Sequence, residues 1–328
     1  MNSFGTLFRI SIFGESHGYG VGVSIDGCPA GIQLTEDDFL PDLARRQAGA
    51  MGTTPRVEKD LPKIISGCLN GFTTGAPLTV LFINENTKSG DYDHLRRQPR
   101  PGHADWVAQQ KFFGFNDHRG GGHFSGRLTL GLVAAGVVAK KITGQTSINA
   151  SLIEAGGSSD IDSAVRKAIE EDDSIGGIVE CKASAMPVGL GEPFFDSLES
   201  KIAHLVFAIP ATKGVEFGSG FSAAGMRGSK HNDNILSVDG QTETNHAGGI
   251  NGGISNGNEL VFRVAIKPTS STAKPQKTIN QNTKEVEELV IGGRHDKCIA
   301  LRVPVVLESI TAIALADLLL IRKSQSTH

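Results

Sequence analysis

The stretch Phe13-Gly14-Glu15-Ser16-His17-Gly18 ends the first apolar run of the chain, and its reading decides the fold. Taken literally, Gly14-Glu15-Ser16-His17-Gly18 matches G-x-S-x-G, the strand-to-helix elbow that carries the nucleophile of serine hydrolases. That elbow borrows its oxyanion loop from an earlier strand, and only thirteen residues precede Gly14. The residues that follow, Tyr19-Gly20-Val21-Gly22-Val23-Ser24-Ile25, alternate like a strand and make a poor helix. The stretch therefore reads as a turn between strands at 7–13 and 20–25. Its glycines permit positive φ and close approach of a ligand, with Glu15, Ser16 and His17 presented at the turn. A histidine there is a candidate acid or base, because its proton moves near neutral pH.

Outward from this turn, Thr35-Glu36-Asp37-Asp38 has the look of a helix start, with Thr35 as N-cap and acids in the first turn. Phe39, Leu40 and Leu43 supply the apolar face, and the helix ends on Arg45-Arg46. Short β-like runs follow at 63–66 and 78–83. From Asn84 to Gly102 the pattern fails, and a loop that long is usually functional or mobile. A helix is expected over 105–113, capped by an acid, and a strong helical pattern over 128–142. Residues 146–206 read as scaffold: strand, acidic helix (161–171), strand (177–185), helix (197–207). Residues 214–257 are loop-rich, 259–267 alternate as a strand, and Pro304 opens a strongly apolar helix to Arg322. Both long apolar helices follow an element with Gly-Gly, Arg and His, a hint of internal duplication. No linker divides the chain, so residues 1–328 are read as one domain.

The chain has 328 residues, 39% of them hydrophobic, and a net charge of -3, enough for a real core and no sign of a nucleic-acid surface. Cys28, Cys68, Cys181 and Cys298 are scattered without CxxC pairing, which suits reduced thiols. The N-terminus lacks signal-peptide character, and the apolar run from Ile310 to Ile321 is broken by Asp317 and too short to span a bilayer. A cytoplasmic protein that touches neither membrane nor nucleic acid is expected.

Of the fifteen arginines, Arg45, Arg46, Arg56, Arg96, Arg97, Arg100, Arg119 and Arg127 bunch in one third of the chain, mostly in loops or at helix ends. The planar guanidinium fork suits carboxylate and phosphate, so the cluster points to a small, multiply anionic ligand. Gly120-Gly121-Gly122 before a helix can aim amides and a dipole end at a phosphate. Lys267-Pro268-Thr269-Ser270-Ser271 offers a cation and three hydroxyls at a strand end. There is no G-x-G-x-x-G and no Walker lysine, and His118 and His123 lack companions at metal-ligand spacing, so no metal site is expected.

Taken together, the ordered set Phe13–Gly18, Arg45-Arg46, Thr53-Thr54-Pro55-Arg56-Val57-Glu58-Lys59-Asp60, Arg100-Pro101-Gly102-His103-Ala104-Asp105, Arg119–Gly122, Asn245-His246-Ala247-Gly248-Gly249, Lys267–Ser271 and Gly293-Arg294-His295-Asp296 resembles the chorismate synthase family nearly end to end. The resemblance implies an α+β fold, a β-α-β sandwich with a helical layer between antiparallel sheets, in a homotetramer. It implies a lyase that converts 5-enolpyruvylshikimate 3-phosphate to chorismate and phosphate with reduced FMN (FMNH2). By position, His17 would protonate the reduced flavin, His103 would assist phosphate or flavin, and Asp296 would work with the flavin nitrogen that removes the ring proton. Arg46, Arg100, Arg127 and Arg294 would bind substrate, Arg294 also lying near the flavin. Ser125, Pro210, Ala211, Gly252, Lys267, Pro268, Thr269, Ser270 and Ser271 would contact FMN.

With no Rossmann fingerprint, the reductant is expected from outside, through an external flavin reductase. The chain departs from the family pattern at His123-Phe124, where many members carry arginine and serine. It departs again at Ala50-Met51-Gly52, which lacks a further arginine, and at Lys297, which stands in place of proline. His123 would serve as a partly cationic substitute, and either weaker phosphate binding or compensation by Arg45 or Arg56 would follow from the lost cation. The rival reading is a flavin- or nucleotide-binding protein that kept the scaffold and lost the reaction.

Overall fold

The computed structural model describes residues 1–54, 58–85, 95–293 and 295–325. Its first sheet holds β1 (Ser3–Phe4), β2 (Arg9–Gly14), β3 (Gly20–Asp26), β4 (Lys63–Ser66) and β7 (Leu78–Ile83), in the order β1-β2-β3-β7-β4 with every pair antiparallel. A small hairpin, β5 (Cys68–Leu69) and β6 (Phe72–Thr73), intervenes. The second sheet holds β8 (Ser147–Ala155), β9 (Gly177–Ser184), β10 (Thr212–Phe217) and β13 (Leu260–Ile266), in the order β10-β13-β9-β8 and again antiparallel. Two further hairpins are β11 (Ile250–Asn251) with β12 (Ile254–Ser255), and β14 (Gln276–Ile279) with β15 (Val286–Leu289). The helices are α1 (Leu40–Arg46), α2 (Asp105–Lys111), α3 (Thr129–Thr143), α4 (Ile161–Glu170), α5 (Leu198–Val206), α6 (Gly228–His231) and α7 (Pro304–Gln325).

The opening turn joins two antiparallel strands, Phe13 opposite Gly22 and Gly14 opposite Val21, which disposes of the hydrolase elbow. Gly14 has φ +97°, and a Cβ there would fall 2.2 Å from the Gly20 carbonyl oxygen. Thr35 begins its helix as expected, in a reciprocal capping box with Asp38.

Why α3 and α7 are apolar all round follows from where they lie. A helix without a polar face is stable only when covered on every side. Here α3 packs on β2 and β3, α7 packs on β8 and β9, and the two helices pack on each other. The layers are sheet, helices, sheet, and one continuous core runs through all of them. Small residues set the spacing. A Cβ on Gly131 would lie 2.7 Å from Ile12 Cδ1, and one on Gly136 would lie 2.3 Å from Ser309 Cβ of α7. Each sheet is thus served by the long helix that follows its strands in sequence, in keeping with a pseudo-two-fold plan.

The last helix corrects one expectation. It runs 22 residues, long and apolar enough to cross a bilayer, so shortness is not what keeps it from lipid. Burial does: 78% of its most apolar window is inside the protein. Asp317 is no flaw in it, because its carboxylate accepts hydrogen bonds from the backbone N–H groups of Thr6, Leu7 and Phe8 at 2.8–3.0 Å. The charge is thereby satisfied in the core and the entry to β2 is fixed. The sequence reading also missed β10, which opens the stretch read as loop, and the β14–β15 hairpin. Both are short, and β10 carries Gly214 and bulges between Thr212 and Gly214.

Candidate active site

Loops from both halves meet above the helical layer. The glycine-rich loop 119–124 is stitched to the β2–β3 turn twice, by Ser16 N–H to the Gly122 carbonyl (3.1 Å) and by His123 Nδ1 to the Gly14 carbonyl (2.8 Å). Gly120, Gly121 and Gly122 have φ of +59°, +81° and +53°, conformations side chains resist. At Gly120 space is equally restrictive, because a Cβ would sit 2.4 Å from His17 Cδ2; at Gly121 a Cβ would meet His103 Cε1 at an ordinary 3.6 Å, and the φ alone selects glycine. Bare backbone therefore passes between two imidazoles, which only glycine allows.

The larger cavity, about 640 Å³, opens on the far side of this loop. Ile10, Ile12, Leu132, Phe124 and Ile299 supply an apolar wall; Arg100, His103, Lys267 and the hydroxyls of Ser125, Thr269, Ser270 and Ser271 supply the polar one. Pro210 and Ala211 also line it, and Ala211 has the unfavourable φ of +71° with its carbonyl accepting from Lys267 N–H (2.9 Å). Lys267 Nζ donates to Ser270 Oγ (2.7 Å) and to the Gly102 carbonyl (3.1 Å); burial and then nearby Lys213 lower its pKa. Thr269 Oγ1 is buried without a hydrogen-bond partner. A buried orphan hydroxyl beside a cation marks a place where a ligand oxygen belongs.

At the edge of this cavity His103 Nδ1 donates to Asp105 Oδ1 (2.6 Å), while Arg100 pairs with both oxygens of the same carboxylate (2.7 and 2.9 Å). Arg100 Nη1 also donates to Ser271 Oγ (3.1 Å). Burial opposes the charge of Asp105, but hydrogen bonds from Arg100 and His103 hold its carboxyl well below the usual range. Asp105 therefore does not cap α2, as the sequence suggested: the N-cap is Ala104 and the carboxylate orients His103. Nδ1 is committed to Asp105, and Nε2 lies 3.2 Å from Arg100 Nη2, so the imidazole is held between a carboxylate and a guanidinium at the cavity edge.

The smaller cavity, about 260 Å³, shares Gly120, Ser125, Gly126, Thr129, Pro210, Thr269, His295 and Ile299 with the larger one. Its arginines are clamped by carboxylates. Asp60 takes Arg46 Nη2 at 2.9 Å and Arg127 Nη1 at 2.7 Å, and Glu58 takes Arg127 at 2.9 Å. Burial, against the pull of Asp60, pushes Arg46 down to about 10, still protonated near neutrality. Arg46 Nε is buried without a partner, a second donor awaiting an acceptor. Asp296 accepts from Thr54 N–H (2.8 Å) and faces Arg302 (3.4 Å), whose Nε donates to the Arg46 carbonyl (3.0 Å). Asp60 itself has φ +45°, strain that its two arginine contacts hold in place.

The structure gathers most of the residues singled out in sequence. Ser125, Pro210, Ala211 and Lys267 to Ser271 line the larger cavity together with Arg100 and His103, and Arg46, Arg127 and Asp296 line the smaller. His17 is buried one layer back, behind Gly120, and lines neither. Gly252 sits at the β11–β12 turn, away from both. Arg294 and Arg56 lie outside the described residues. Arg45 does not stand in for a missing cation: it makes two bonds to Glu308 of α7 (2.6 and 2.7 Å) and lines neither cavity. Sequence reasoning gave no role to Asp60, Glu58 or Arg302, nor to Asn84, whose Oδ1 accepts from Arg127 Nε (2.5 Å). The available signal was that a buried arginine needs a countercharge, and the motif ending in Asp60 supplies it.

A family profile described as chorismate synthase matches residues 8–320. The chain belongs to the chorismate synthase family. It is 64% identical over 324 residues to the chorismate synthase of Chitinophaga pinensis, covering 98% of each chain. It is 46% identical over 351 aligned positions to that of Dehalococcoides mccartyi, covering 97% of this chain and 96% of the relative. A solved chorismate synthase crystal structure superposes with a TM-score of 0.75 at 26% identity, covering 97% of this chain and 93% of that one. The family is one of flavin-dependent carbon–oxygen lyases, and the sheet–helix–sheet layering described above is its fold.

Proposed function

We propose that the chain eliminates phosphate from 5-enolpyruvylshikimate 3-phosphate to give chorismate, with FMN in the larger cavity and substrate bridging the two. The observation that carries this is one cavity in which an apolar wall faces Lys267, Arg100, His103 and four hydroxyl side chains. The wall suits a planar ring system, and the orphan Thr269 Oγ1 beside Lys267 suits a phosphate tail.

When bound, reduced flavin supplies the electron density that lets an unactivated ring C–H and an allylic phosphate part. The chain's own residues bind, orient and move protons. Arg100, fixed by Asp105, and Arg46 and Arg127, fixed by Asp60, hold the anionic groups without reorganising. His103, at the cavity edge and held by Asp105, delivers a proton to the departing phosphate oxygen. Asp296, facing Arg302 and accepting from Thr54 N–H, orients the group that takes the ring proton. His17 shapes the wall from behind Gly120 and in this reading is the proton donor toward the flavin.

In the same reading the flavin arrives already reduced from an external flavin reductase, and the chain works as one domain in a homotetramer. Exposed Phe113 (85%), Phe115 (92%) and Phe195 (93%) favour subunit contacts. Light scattering of the eluted protein checks the tetramer, and NADPH-driven turnover by pure protein would defeat the external reductant. The central test is anaerobic: protein, dithionite-reduced FMN and authentic substrate release inorganic phosphate. If flavin binds and no phosphate appears, the rival reading of a scaffold that lost the reaction replaces this one.

A further inference from the structure

The connection between α4 and β9, Asp172-Asp173-Ser174-Ile175-Gly176, lines neither cavity, yet it touches both loops that carry the chemistry. Toward the larger cavity, Ser174 Oγ donates to the Thr269 carbonyl (2.7 Å) and Thr272 Oγ1 donates to Asp173 Oδ1 (3.3 Å). Gly176 lies so close beneath the same loop that a Cβ would fall 2.3 Å from the Ile266 carbonyl oxygen and 3.2 Å from Pro268 Cδ. Toward the smaller cavity, Ile175 N–H donates to the Lys297 carbonyl (2.8 Å), and the Lys297 ammonium pairs with Asp172. Lys297 N–H reaches on to the Gly52 carbonyl (2.8 Å), two residues before Thr54, which holds Asp296. Asp172 keeps a φ of +52°, a conformation that must be held by its surroundings.

We infer that this turn is a positioning strut that sets the distance between the Lys267–Ser271 loop and Asp296, through Ser174 on one side and the Asp172–Lys297 pair on the other. Thr269 is the loop residue whose buried hydroxyl lacks a protein partner, so a bond fixing its carbonyl from behind aims that hydroxyl at the cavity. Lys297 adjoins Asp296, so its ammonium and its amide fix the backbone from which the carboxylate projects. A proline at 297 would lack both the ammonium and the amide hydrogen. The pair is exposed on the Asp172 side (64%), so it adds little to global stability, and its effect should appear in geometry instead.

The inference rests on the proposed function for its catalytic arm only. Asp172→Asn, Lys297→Met, the double variant, Lys297→Arg, the charge swap Asp172→Lys/Lys297→Asp and Ser174→Ala are compared with the unaltered chain. Readouts are the Kd for oxidised FMN by fluorescence titration, kcat and KM for anaerobic phosphate release at saturating reduced FMN, and Tm. Each single change at the pair lowers kcat about tenfold with Tm within about 2 °C of the parent. The double variant is no worse than either single, and Lys297→Arg and the charge swap each recover at least about half of the loss. Ser174→Ala raises the FMN Kd about fivefold. Values of kcat and Kd within about twofold of the parent in every variant overturn the strut, as does a loss of kcat that only tracks a fall in Tm. If the parent releases no phosphate, the functional reading fails, and the strut then stands or falls on the Kd shift of Ser174→Ala.

Discussion

The wall of the larger cavity carries Arg100, Lys267 and four histidines with no carboxylate among the described residues, whereas the smaller cavity sets Arg46, Arg127 and Arg302 against Glu58, Asp60 and Asp296. The first has no carboxylate in its own lining, Arg100 being held from behind by Asp105, and sets its two cations beside apolar side chains, which suits an anion with a flat apolar body. The second is close to neutral and its donors are already held in place. A buried guanidinium without a countercharge would cost several kcal/mol, so the smaller cavity keeps its arginines by pairing them. Preorganised donors then meet the substrate without moving, the condition under which electrostatic stabilisation is largest. Two ways of presenting cations to one ligand set thus share a wall.

Removing the common countercharge tests that contrast most severely. Asp60→Ala leaves Arg46 buried without its carboxylate and leaves Arg127 with Glu58 alone, and is expected to destabilise the fold by about 3–5 kcal/mol, read from urea unfolding. An unaltered midpoint would mean that the pairing is incidental. Next comes His103→Ala, for which phosphate release should fall about a hundredfold while FMN affinity changes far less. Equal losses in both would move His103 from proton transfer to cofactor binding.

Gly120→Ala adds a Cβ into His17 at a φ that favours glycine, and about 1–3 kcal/mol of strain is expected, with weaker FMN binding. A variant that binds and turns over normally would show that the wall between the imidazoles is pliable. The Asp105→Asn variant is read against pH. The folded-state pKa of Asp105 lies below its ordinary 3.8, so its stabilisation is fully present above that value and is lost as pH falls through the folded one. The Tm gap between parent and variant should hold from neutrality to mild acid and narrow steadily as pH falls below 3.8. Smallest of all, Arg45→Ala should leave the substrate KM unchanged, because its partner is Glu308 and not a ligand. A raised KM would return Arg45 to the site.

Local pattern carried much of this protein. Alternation and glycine placement disclosed the β2–β3 turn, long apolar runs disclosed α3 and α7, and the arginines and hydroxyls pointed to an anionic ligand. These depend on neighbours within a few residues, so they survive being read without coordinates. What only the tertiary structure decided were pairings across long sequence separations: Arg46 and Arg127 on Asp60, Arg45 turned to Glu308, Asp317 closing the entry to β2, and His17 set behind Gly120. A charged side chain does not encode its partner. The partner is chosen when layers pack and each buried charge must find an opposite one or a row of amides, and that choice belongs to the whole fold.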